Sequence, residues 1–65
     1  MMSRKHYKAL ADVIREQVSV CNNSGEFARV QGIALGVAAV CAADNHRFSR
    51  DRFYEACGLP DLRSN

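Results

Sequence analysis

The sequence has no tryptophan, one proline and no close cysteine pair, and neither sign of charge dominates it. Each shortage excludes something. Cys21, Cys41 and Cys57 are an odd set at wide spacing, so a disulfide framework and a C-x-x-C zinc or redox site are both unsupported. Each falls on an apolar helical face, where a reduced thiol acts as a small hydrophobe. A reducing cytoplasm is the simplest compartment. Nine Lys and Arg against seven Asp and Glu leave a net charge of only +2, far from the footprint of a dedicated nucleic-acid binder. Behind the basic residues of MMSRKHYKAL no apolar segment follows, so no signal peptide is expected. The longest uncharged run, Val30 to Ala43, includes Gln31 and two glycines and is shorter than the ~20 residues of a membrane span. It reads as a buried helix.

What is present is ordinary globular material, 48% hydrophobic and 25% charged, which argues against disorder. The 65 residues make a single domain. A chain of this size buries only about 60% of its unfolded surface, and such scaffolds usually add a disulfide, a metal or a partner subunit.

Hydrophobic periodicity predicts an all-α chain: helices at about 4–20, 26–43 and 50–57, the first two forming a hairpin and the third short. Ser3 is the expected N-cap of the first, its hydroxyl accepting a first-turn amide. Tyr7, Leu10, Ile14, Val18 and Cys21 alternate spacings of three and four, an apolar stripe with Ala11 beside it. Asn22, Asn23, Ser24 and Gly25 end that helix in a turn. In the second helix Phe27, Val30, Ala34, Val37 and Cys41 repeat the stripe, widened by Ile33 and Val40. Ala28, Gly32, Gly36, Ala39 and Ala43 form a further stripe of small residues. Two glycines inside a helix cost roughly 1 kcal/mol each relative to alanine, and close approach of another backbone would offset that. A helix apolar on most sides should be buried on most sides. The expectation is a homodimer or a partner protein against Ala28, Gly32, Gly36, Ala39 and Ala43, with a tight crossing inside the chain as the equal alternative.

The third helix carries start and stop signals. Ser49 is its N-cap, Phe48 and Phe53 form a hydrophobic staple across it, and Asp51 complements the positive helix end. Gly58 closes it at C′, Leu59 follows where it can reach Tyr54, and Pro60 prevents continuation. Arg47, Arg50 and Arg52 have no such role, and two of them lie at the end of the helix that disfavours cations. They are either a solvated face, partnered loosely by Asp44, Asp51 and Glu55, or, with His46, a basic knob for an acidic partner.

Catalysis has little support. Cys41 with His46, or Cys57 with His6, would need an orienting third group and a cleft that a helical hairpin seldom encloses. The same cysteines and His46 match no common zinc spacing. No phosphate loop or nucleotide fingerprint is present. No catalytic residue, metal or cofactor is therefore expected. A helix-turn-helix with SRDRFYEACGL as recognition helix would place Arg50 and Arg52 near base edges, but it lacks supporting basic surface.

The opening SRKHY, with IRE from Ile14, and the closing AADNHRFSRDRFYEACGL resemble a group of short proteins encoded by bacteriophages, prophages and plasmids. Asp44, Asn45, Arg47, Phe48, Arg50, Arg52, Phe53, Ala56, Cys57 and Gly58 fit its closing pattern, D-N-x-R-F-x-R-x-R-F-x-x-A-C-G. The resemblance implies a mobile-element origin and a cytoplasmic setting in the bacterial host. Small phage proteins commonly act by binding a host protein, including components of defence systems. The expected function is thus a non-enzymatic protein-binding accessory factor, for example an anti-CRISPR-like inhibitor, forming a homo-oligomer. A small nucleic-acid-binding regulator using the basic patch is the alternative.

Overall fold

A computed structural model describes residues 3–62. Among them the chain is all-α, with α1 (Arg4–Ser19), α2 (Ser24–Asp44) and α3 (Arg50–Ala56), followed by a single 3₁₀ turn at Pro60–Leu62. α1 packs against both other helices and α2 also meets α3. The body is flattened, 34 × 24 × 15 Å.

Ser3 is the N-cap of α1, as its sequence suggests, and it shares a capping box with His6. The His6 amide donates to the Ser3 carbonyl at 3.0 Å. The His6 ring reaches back, its Nδ1 accepting from the Ser3 amide at 3.0 Å and lying 3.1 Å from the Ser3 hydroxyl. A histidine does here what glutamate does in a capping box.

α2 starts two residues earlier than its periodicity predicts. Asn23 is the N-cap, its side chain accepting from the Glu26 amide at 2.9 Å, while Glu26 in return accepts from the Asn22 amide at 3.2 Å. That exchange carries Ser24 and Gly25 into the first turn instead of leaving them in the connection.

α3 is bounded by the expected devices. The Ser49 hydroxyl accepts from the Arg52 amide at 3.3 Å, and the rings of Phe48 and Phe53 sit 5.4 Å apart. At the other end Gly58 adopts φ +78°. Its amide donates to the Glu55 carbonyl at 3.0 Å and the Leu59 amide to the Tyr54 carbonyl at 2.9 Å. These two bonds are the Schellman closure. It turns Leu59 inward, where it is 1% exposed.

The core gathers Ala11 and Ile14 of α1, Ala34 and Ala38 of α2, and Phe53, Tyr54, Cys57 and Leu59 of the α3 region. Leu10, Val18, Phe27, Val30 and Val37 border it, so the α1 stripe and the first α2 stripe face inward. Ala38 was missed because it lies between the two stripes read on α2. All three cysteines are free thiols; Cys41 and Cys57 are buried, and Cys21 donates to the Gln17 carbonyl at 3.2 Å.

One expectation fails. Ile33 and Val40, read as widening the α2 core stripe, are 59% and 63% exposed, and Leu35 is 47% exposed. Ala28, Gly32, Gly36, Ala39 and Ala43 are exposed as well. A Cβ added at Gly32 or Gly36 would meet nothing within 4 Å. A tight crossing inside the chain over this stripe is therefore ruled out. α2 is apolar on most sides and buried on one, because two short neighbours can cover only one side of it.

Candidate binding surfaces

Two surfaces emerge, with no residue in common. The first is a cleft of about 490 Å³ between α1 and the start of α3. Arg4 and Lys8 stand one turn apart on α1 and line it from that side; Arg47 and Arg52 line it from the other. Its base is aromatic. Tyr7 and Phe48 meet edge-on, with centroids 4.8 Å apart at 69°, and Phe48 leans in turn on Phe53. A helical hairpin with a short third helix seldom encloses a cleft, yet here an open one lies between α1 and the start of α3.

Asn45 sets the shape of the far wall. It follows the last residue of α2, its amide closing on the Cys41 carbonyl at 3.0 Å. Its side-chain oxygen accepts from the Arg47 amide at 3.0 Å and its carbonyl from the Phe48 amide at 2.9 Å. One asparagine thus bends the connection so that Arg47 and Phe48 face the cleft, an arrangement such side chains favour in turns. At the edge, the Tyr7 hydroxyl donates to the Asp44 carboxylate over a long 3.4 Å.

Of the residues singled out in the sequence, the structure brings Arg47 and Arg52 to this cleft. Arg50 and His46 are exposed and outside its lining. Sequence reasoning did not assign Arg4, Lys8, Tyr7 or Asn45 to the site. The signal for the first three was available: spacings of three and four put Arg4, Tyr7, Lys8 and Ala11 on one side of α1.

The second surface is the outer side of α2. At 3.6 residues per turn, the five small residues run down its middle, with Leu35 on one flank and Ile33 and Val40 on the other. From Gly32 to Ala43 this face carries no charge. A shallow apolar groove beside it, about 430 Å³, is lined by Leu10, Ile33, Gly36, Val37, Val40 and Cys41. α2 spans 21 residues and is, by length and composition alone, apolar enough to cross a membrane. The longest uncharged run is too short for a span, but an 18-residue stretch of the helix that admits up to two charges has a mean hydropathy of 1.4.

Cys41 and Cys57 are held away from their reactive form. Burial pushes the Cys57 thiol up to about 11. Cys41 is also raised, by burial first and by the nearby Asp44 charge second. Reactive cysteines show the opposite shift. Among the described residues, no group of three His, Cys, Asp or Glu side chains is placed to hold a metal ion.

Comparison of the chain with protein-family models, with curated proteins and with solved structures found no match.

Proposed function

We propose that this chain is a non-enzymatic protein-binding factor of a phage or other mobile element, for example an anti-CRISPR-like inhibitor of a host defence system. In this reading it acts in the cytoplasm as a homodimer through the outer face of α2. The observation that carries it is that face: Ile33, Leu35 and Val40 stand about half or more exposed around two glycines with open space above them. Contiguous exposed apolar surface of this kind marks contact sites. The face supplies both protruding aliphatics and the hollows to receive them, so it can complement itself about a two-fold axis. The basic cleft, sharing no residue with it, remains open for a second protein.

The raised Cys41 and Cys57 thiols weigh against a cysteine nucleophile. The rival role, a nucleic-acid-binding regulator, draws on the same basic residues, but a net charge of +2 offers little sequence-independent grip. Affinity capture from infected cells, with nuclease treatment and mass spectrometry, tests the reading. It should recover a defined host protein together with untagged copies of the chain. Recovery of nucleic acid alone, or co-flotation with anionic vesicles in place of a protein partner, would overturn it; the latter outcome would assign α2 to lipid.

A further inference from the structure

We infer that the cleft between α1 and α3 docks an acidic peptide segment of the partner protein, placing a carboxylate against the basic rim and an apolar side chain on the aromatic base. This rests on the protein-binding reading above and adds the chemistry of what is bound.

Charge is the first argument. Arg4 and Lys8 reach the cleft from α1, Arg47 from the connection after α2 and Arg52 from α3, and none of the described residues lining it is acidic. The Asp44 carboxylate receives the Tyr7 hydroxyl at the edge. Three of the four cations are arginines, whose planar fork matches a carboxylate in bidentate fashion. Positive charge facing positive charge across a cleft is unfavourable for the isolated protein and becomes favourable when an anion enters.

Shape is the second. A volume of about 490 Å³ lies within the ~300–1,000 Å³ typical of sites that enclose a ligand. A flat solvated patch would offer no such volume, and an ion alone would not use it. The base, where Tyr7 and Phe48 are half-buried beside Ala11 and Ala56, is apolar and suits an aliphatic or aromatic side chain.

The rings also discriminate between classes of partner. Single-stranded nucleic acid is gripped by open aromatic faces on which bases stack. Here the rings engage one another at 69° and 55°, and Phe53 is only 4% exposed. No ladder of parallel platforms is left for successive bases. The observations favour a peptide.

The test is selection of a random nonapeptide library displayed on phage against the immobilised full-length protein. Enriched peptides should pair Asp or Glu with a neighbouring Leu, Ile or Phe. A synthetic copy of the leading peptide should bind about tenfold more weakly to Arg4→Glu and to Arg52→Glu, each confirmed folded by circular dichroism. Arg50→Glu removes the same charge outside the cleft and should leave affinity within about twofold, since rim charges distant from a contact contribute little. The proposal is overturned by an enrichment without acidic residues, by no enrichment, by an equal loss with Arg50→Glu, or by oligothymidylate displacing the peptide at physiological salt. If capture from infected cells still recovers a host protein through Arg4→Glu and Arg52→Glu, the cleft assignment fails while the protein-binding reading stands.

Discussion

Gly58 is the residue whose backbone the fold most needs. At φ +78° it occupies the region L side chains avoid, at roughly 1–2 kcal/mol for an ordinary residue. A Cβ there would lie 3.8 Å from the Arg15 stem, an ordinary contact, so Gly58→Ala isolates backbone strain from crowding. We expect it to lower the melting temperature by about 4–8 °C per kcal/mol for a domain of this size. Phe53→Ala should cost about 3–5 kcal/mol and unfold most molecules, because the ring belongs to both the core and the staple. Cys57 makes a pH prediction. Its folded thiol titrates near 11 against 9.0 for an unperturbed one, so the folded state holds the proton more tightly. The associated stability is complete below pH 9 and lost as pH rises from 9 towards 11. Alkaline melts of the parent should fall across that window, and Cys57→Ala should flatten the fall. These residues were legible in the sequence because caps and staples are local chemistry: Ser49, Phe48, Phe53 and Gly58 announce themselves by spacing alone. Ser3 shows the limit. Its position as N-cap was readable, but the part played by His6 was not, since an imidazole at that position is seldom the partner.

Among the elements, α2 carries the informative ambiguity. Periodicity found its two faces, yet a one-dimensional pattern cannot say which apolar stripe meets this chain and which stays exposed on it. Ile33 and Val40 were misassigned for that reason. Gly36 offers a test within the helix. Nothing lies within 4 Å of an added Cβ, so Gly36→Ala should raise the stability of the isolated fold by up to about 1 kcal/mol through helix propensity. Gly36→Leu should be tolerated by the same fold but block close approach of a second α2, visible as a lower sedimentation coefficient. A melting temperature that drops sharply for Gly36→Ala would mean that the backbone there is already covered. α3 makes the converse prediction. Arg47, Arg50 and Arg52 are all exposed, so replacing the three by alanine should change the melting temperature by no more than ordinary surface substitutions do, about 0.5 kcal/mol each.

For the molecule as a whole, the cleft could not be read in advance. Arg4 and Lys8 belong to the first helix, and Arg47 and Arg52 come after the second; only packing of α1 on α3 brings them together. Assembly through α2 predicts that stability depends on concentration, as it does when folding and association are linked. Dilution should lower the melting temperature of the parent, while Ile33→Glu or Val40→Glu should melt independently of concentration and sediment as a monomer. A compact parent monomer at micromolar concentration would refute the assembly. The depth of the three thiols has a consequence in time. α3 has seven residues, too few to persist as a helix once detached, so its undocking and melting should be one event. Cys21 is half-buried at the turn between the long helices, and Cys57, after α3, and Cys41, on α2, are fully buried. A thiol reagent added to the native protein should therefore read three clocks. Cys21 reacts at once, Cys57 when α3 lets go, and Cys41 when α2 itself loosens. Whatever fills the cleft must slow the second clock before it touches the third.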